Sequence, residues 1–427
     1  MKLLVFISLL LVLAVADKYA VIMATADGWG NYSITSNPCR AYTDFVKMGI
    51  PEENIIFMTY HKNLEKSKNP YKGMIFTDPA DNTDGDWAQY GCFDHIDYTD
   101  DDINVSTFLS ILSGDIDKVA AETNIKNPKV LRSGPEDTLL MYIMDHGDYG
   151  FYYVDGKEVN RNLWNTATTK LWENKKYKEA LVFMEACYGG SMWANYPQNR
   201  NMIILTSADE IHSANMSNCP PDDYIGEKHL GTCLSGLFDN SYLTYLEENP
   251  DSTIQEVFDA VHNECAKTSE QEVSLWGDYE MGKKKVSDFF GESYAIKRSA
   301  QKKSSRSSVP VPEVPIHLAK WAAIRAEKEE VENAMEEYKD LIYARAKEEV
   351  ELMRLAVMLK SEKNADELMN ATNSNSYSAS CVESLTYQLI HECGHTATFT
   401  TKTVNLLRGL CDSNKTLPSI QWKDVCM

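Results

Sequence analysis

ALVFMEACYGGSMW (residues 180–193) is an apolar run that ends in an acid, a cysteine and two glycines. TLLMYIMDHG (138–147) has the same form, with His146 after its acid where the first has Cys187. Short continuous apolar runs bounded by turn residues read as strands buried on both faces. Three more fit the description: KYAVIMATA (18–26), NIIFMTY (54–60) and NMIILTSA (201–208). Helical spacing fills the intervals, as in CRAYTDFVKMGI (39–50), VSTFLSILSGDIDKVAAE (105–122) and NLWNTATTKLWENKKYKE (162–179). Strands alternating with helices predict a mostly parallel α/β sheet with helices on both faces. Ligands bind such sheets outside the carboxyl ends of the strands, which is where His146 and Cys187 fall.

The chain has 427 residues, 43% of them hydrophobic, enough for about two or three domains at roughly 150 residues each. MKLLVFISLLLVLAVA (1–16) has one lysine, an apolar core and a small-x-small ending, the pattern of a cleaved secretory signal. No later stretch is long and apolar enough to span a bilayer, so no transmembrane anchor is expected. The net charge is −21, with −22 on residues 17–292 alone. So acidic a surface speaks against nucleic-acid binding, and protonation in mild acid would relieve its self-repulsion.

The ten cysteines suit an oxidising compartment. Cys219 and Cys233 bracket a loop, and Cys381, Cys393, Cys411 and Cys426 lie in the tail; these six read as disulfide material. Cys39, Cys92, Cys187 and Cys265 remain, with at least one free thiol among them. Sequons at Asn104, Asn215, Asn370 and Asn414 predict glycosylation.

Composition divides the chain into a main domain at 17–292, a linker at 293–315 and a C-terminal region at 316–427. KRSAQKKSSRSSVPVPEVP (297–315) is basic, Ser-rich and then Pro-rich, so it reads as an exposed linker. Residues 316–369 lack Gly and Pro and read as a long helix or a helical pair. With the Cys-bearing tail they predict an all-α domain stapled by disulfides.

A thiol attacks only as its thiolate, and a neighbouring imidazole can supply the base. On adjacent parallel strands His146 and Cys187 would face each other. The glycines that follow let the backbone approach a substrate, and the N–H groups of Gly147 and Cys187 could hold an oxyanion. Each residue also has a plainer reading, as a buried thiol or a structural hydrogen-bonder.

MDHGDYG and EACYGGSM resemble the His and Cys motifs of the legumains, asparaginyl endopeptidases with a caspase-like fold. DGWGNYS, CRAY, GIPEENI, DYTDDDINVSTFL, VLRSGPED and KKYKEALVFMEAC extend the resemblance over nearly the whole chain. It implies an endopeptidase made as an acid-activated zymogen, with Cys187 as nucleophile, His146 as general acid/base and Asn31 orienting His146. Asp145 matches an aspartate that cyclises to a succinimide in some members. The pairs Cys219–Cys233, Cys381–Cys411 and Cys393–Cys426 are implied as well. So are a linker that is cut on activation, a helical prodomain acting as intramolecular inhibitor, a lysosomal, vacuolar or secreted location, and no cofactor.

The specificity pocket departs from the family pattern. Glu185 is kept, but the family's Arg-His pair reads Ser33-Ile34 and an aspartate becomes Gly236. A carboxylate without its arginine is costly to desolvate. Either a substrate Lys or Arg pairs with Glu185, or another protein group does and the pocket accepts other side chains. A basic preference would place activation at Lys303 or Arg306, and an asparagine preference at Asn333. Two rivals stand beside the peptidase: a ligase or transamidase of the same fold, and a non-catalytic secreted binding protein. HECGH (391–395) offers metal-like side chains, but Cys393 belongs to the disulfide set; DNTDGD (81–86) lacks the end acids of a calcium loop. No metal is expected.

Overall fold

The computed structural model describes residues 16–79, 92–267, 269–291, 307–359, 361, 363–371, 377–411 and 419–427. Residues 1–15 of the signal sequence, DNTDGD, most of the basic linker with Lys303 and Arg306, and Asn414 lie outside the described residues.

The central sheet is built from β1 (Lys18–Ala24), β2 (Ile55–Thr59), β3 (Thr138–Met144), β7 (Glu179–Glu185), β8 (Met202–Thr206) and β13 (Ser274–Gly277). Five of these strands are parallel and one is antiparallel, in the order β13-β8-β7-β3-β1-β2. The five apolar runs are the five parallel strands. β2 and β3 are buried along their whole length, because helices cover both faces and neither face meets water. β13 pairs antiparallel with β8 at the edge and carries no comparable apolar run.

One side of the sheet is covered by α1 (Ser33–Lys47), α5 (Leu237–Glu248) and α6 (Ile254–Cys265). The other is covered by α2 (Val105–Ser113), α3 (Ile116–Thr123) and α4 (Arg161–Glu173). The single helical stretch expected at 105–122 is two helices. Gly114 ends α2 in the left-handed conformation, φ 78°, and the Asp115 side chain accepts from Lys118 N to start α3. A hairpin of β4 (Gly147–Asp148), β5 (Phe151–Val154) and β6 (Lys157–Asn160) follows β3, and β10 (Tyr224–Ile225) pairs with β11 (Lys228–His229).

A small sheet of β9 (Asn215–Ser217), β12 (Ser235–Gly236) and β14 (Ser308–Pro310) stands beside the carboxyl end of the main sheet. β9 is its middle strand. β14 corrects the expectation of an exposed linker through 315. Val309, Val311 and Val314 are buried, because the segment satisfies its backbone by adding a strand to β9.

The C-terminal region is helical: α7 (Val314–Arg325), α8 (Val331–Met358), α9 (Ala365–Met369), α10 (Ala379–Gln388) and α11 (Thr401–Leu410). The pairs Cys381–Cys411 and Cys393–Cys426 staple it, and Cys219–Cys233 closes the loop between β9 and β12. Cys39–Cys92 is a fourth disulfide, which leaves Cys187 and Cys265 as the free thiols. No helix of the described residues is long and apolar enough to cross a membrane.

Candidate active site

The ladder between β3 and β7 ends at the rung Met144↔Glu185. His146 and Cys187 each stand two residues beyond it, at equivalent positions on neighbouring strands. Asp145 N donates to Glu185 O at 3.2 Å and carries the ladder one step further toward them. Gly147 comes so close to the second strand that a Cβ there would lie 2.4 Å from the Cys187 carbonyl oxygen. Only glycine permits that approach. Tyr188, at φ 56°, takes the left-handed conformation and turns the chain sharply after the thiol.

Asn31 arrives from the loop after β1. Its Oδ1 lies 3.0 Å from His146 Nε2, and its Nδ2 donates to Asp27 O at 2.8 Å. Asp145 is fixed behind the histidine: the Thr25 hydroxyl donates to its Oδ2, and His146 N donates to its Oδ1 at 2.6 Å. Loss of water pushes the Asp145 carboxyl up to about 7, against those two hydrogen bonds. The same loss lowers the His146 imidazole to about 4 and holds the Cys187 thiol well above its ordinary range. The N–H groups of Ala214 and Cys187 offset part of the thiol's shift. In this state both groups are neutral, and Cys187 is 3% exposed.

The C-terminal part of the chain is tied to the residues that flank these two. Tyr188 Oη donates to Phe399 O at 2.7 Å, and Ala397 N donates to Asp148 Oδ2 at 2.8 Å. Arg161 pairs with Glu383 at 2.7 Å, and Arg325 holds both oxygens of the buried Asp223 at 2.9 Å each. β14 pairs antiparallel with β9, Val309 opposite Met216, and Val311 N donates to Ala214 O at 2.9 Å. The segment therefore runs from Ser217 toward Ala214, in the direction of the Cys187 sulfur.

Three residues expected at the pocket are brought together around β9 and β12. Ser33 Oγ donates to Met216 Sδ at 3.0 Å, and Gly236 pairs with Met216. Glu185 lies under Gly236, and its close neighbour is Asp239, a second acid. Asp239 carries no mark in the sequence, because it stands one helical turn beyond the aligned position.

Asn215, one of the expected glycosylation positions, is 5% exposed in the middle strand, and its Nδ2 donates to Ser308 Oγ at 2.9 Å. Asn104 spends its side chain capping α2, and Asn370 is exposed. Glu351, Cys393 and His395 converge in the tail, but the cysteine sulfur is tied to Cys426 and His395 Nε2 is 2.7 Å from Glu351. A disulfide sulfur offers no thiolate to a metal.

A family model described as the peptidase C13 family matches residues 18–293. A hemoglobinase of Schistosoma mansoni is 26% identical over 380 residues, 88% of this chain and 83% of its own. The vacuolar-processing enzyme delta-isozyme of Arabidopsis thaliana is 26% identical over 422 residues, 93% of this chain and 87% of its own. The legumain of Mus musculus is 27% identical over 311 residues, 72% of this chain and 67% of its own.

Proposed function

The chain belongs to the peptidase C13 family and is a legumain-type cysteine endopeptidase, and from that premise we propose that Cys187 and His146 form its catalytic dyad. The observation that carries this reading is the shared register of the two residues past Met144↔Glu185. The Cys187 sulfur attacks the scissile carbonyl of a protein or peptide substrate. The oxyanion that forms is held by the Gly147 and Cys187 N–H groups. His146, oriented by Asn31, takes the thiol proton and gives it to the leaving amine, and water then hydrolyses the thioester.

The same reading makes this closed chain a zymogen. β14 occupies the strand position on β9 that an extended substrate would take, and Tyr188, next to the thiol, is tied to Phe399 of the tail. Removing the region after the peptidase part would admit water, return Cys187 and His146 toward their ordinary ionisation and free β9. Four disulfides fit passage through the secretory route, ending in a lysosome-like compartment or outside the cell. Fractionation of cells producing the tagged chain tests the location.

Ligation is a second reading, in which an amine takes the place of water on the thioester. The deciding experiment incubates the full chain in acid and offers it fluorogenic peptides, beside Cys187→Ala. Cleavage that vanishes in the variant supports the dyad. Equal activity in both, or none in either, defeats it and favours a binding protein.

A further inference from the structure

Two acids meet where the peptidase chemistry does not require them. Glu185 ends β7 and is 1% exposed; Asp239 lies in the first turn of α5 and is fully buried. A Cβ added to Gly236 would sit 2.4 Å from Asp239 Oδ2 and 3.2 Å from Glu185 Oε2, so both carboxyls converge on the space this glycine leaves open. The backbone of Gly236 is ordinary, φ −71°, so a side chain is excluded by the two acids and not by strain.

Among the described residues, none donates a well-formed hydrogen bond to the four carboxyl oxygens, and no cation lies within ion-pair distance of either group. Tyr142 and Ser207 stand near enough to ease the burial of Asp239 and Glu185 in part. Their hydroxyls are committed elsewhere: Tyr142 Oη donates to Met144 Sδ, and Ser207 Oγ serves the Ala186 main chain. Arg40 donates to Asn240 at 2.7 Å and to Glu247 at 2.8 Å. Two desolvated carboxyls side by side share one proton between them, which leaves one buried negative charge for a cation to neutralise.

Their position says which cation. Gly236 pairs with Met216, and Met216 with Val309 of the strand lying in the substrate position. Tyr188 N donates to His212 O at 2.9 Å, which sets the segment leading into β9 beside the thiol. We propose that Glu185 and Asp239 form the floor of the primary specificity pocket and select a lysine or arginine on the acyl side of the scissile bond. The proposal rests on the reading of Cys187 as nucleophile. Asp239 is then a specificity-determining residue, and the substrates are proteins cut after a basic residue.

The test uses the full chain after acid incubation, with peptides that differ only in the residue before the reporter: Arg, Lys, Asn or Asp. We expect kcat/KM for Arg or Lys to exceed that for Asn by roughly a hundredfold. Asp239→Asn and Glu185→Gln should each lower the Arg-to-Asn ratio by roughly tenfold or more. A peptidyl arginal should inhibit the unmodified protein more tightly than the matching asparaginal, which needs no variant to fold. Preference for Asn, or an Arg-to-Asn ratio that neither substitution moves, overturns the proposal while Cys187-dependent cleavage keeps the peptidase reading. Absence of any Cys187-dependent cleavage overturns both.

Discussion

The side-chain amide of Asn31 bridges two groups, its Oδ1 3.0 Å from His146 Nε2 and its Nδ2 2.8 Å from Asp27 O. Because the amide nitrogen donates to a carbonyl, the oxygen is the atom that faces the imidazole. It accepts there, so Nε2 carries the proton and Nδ1 is the basic nitrogen. Asn31→Ala removes this choice of tautomer. We expect kcat to fall roughly tenfold to a hundredfold with KM little changed, read from steady-state peptide hydrolysis.

The Cys187 thiol should be slow to alkylate in the intact chain, since it is 3% exposed and burial keeps it protonated. Acid incubation that removes the tail should raise its rate of modification by iodoacetamide by at least roughly tenfold. Peptide mass spectrometry reads both free thiols, and buried Cys265 serves as the internal comparison. Equal rates before and after would show that the tail does not cover the site.

Arg325 and Asp223 form a clasp between α7 and the loop after β9. Burial pushes the Asp223 carboxyl up, but Arg325 and the Gly231 N–H outweigh it, and the net shift is downward. A depressed carboxyl keeps its contribution until the pH falls through its lowered value, so mild acid leaves this clasp closed. Arg325→Ala leaves Asp223 with the Gly231 N–H and His229 alone and should cost about 1–2 kcal/mol. The expected result is Cys187-dependent activity in chain never exposed to acid.

Asp145 and Asp148 are each raised to about 7 by burial, from an ordinary value of 3.8, and burial raises the Glu185–Asp239 pair as well. Between those values the folded chain binds more protons at these sites than the unfolded chain does, so stability rises as the pH falls from 7 toward 4. His146, lowered from 6.5 to about 4, opposes them over part of the same window. These raised carboxyls against one imidazole predict a higher Tm at about pH 5 than at about pH 7.5. Asp148→Asn should flatten the difference, measured by thermal melts of the intact chain.

Cys39 and Cys92 are 53 residues apart in sequence, and their bond ties α1 to the turn after residue 91. Constraint of the unfolded chain by a loop of that length is worth about 4 kcal/mol. Replacing both with serine should lower the urea midpoint accordingly while leaving the other three disulfides formed.

The central sheet is legible in the sequence because its strands are buried on both faces, and runs of unbroken apolar residues that short seldom arise in any other setting. β13 is not, since SLWG is short and its burial comes from an edge pairing with β8. β14 hides behind Pro310 and Pro312, which look like linker residues. On an edge strand a missing N–H costs little, and Val309 and Val311 supply the burial. In the candidate site, the matching runs bring His146 and Cys187 to the same level of the sheet edge, and the family resemblance points to Asn31. Asp239 carries no local sign of its role, because its meeting with Glu185 depends on how α5 packs under β7.

The α/β sheet, the placing of His146 and Cys187 at its carboxyl edge and the family are all readable along the chain, because strand periodicity and motif order are local features of it. Long-range packing alone joins Cys39 to Cys92, makes 308–310 a strand on β9 and sets Glu185 against an acid. Those three relationships join residues far apart in sequence. Their chemistry follows from burial and distance, which no single stretch of residues encodes.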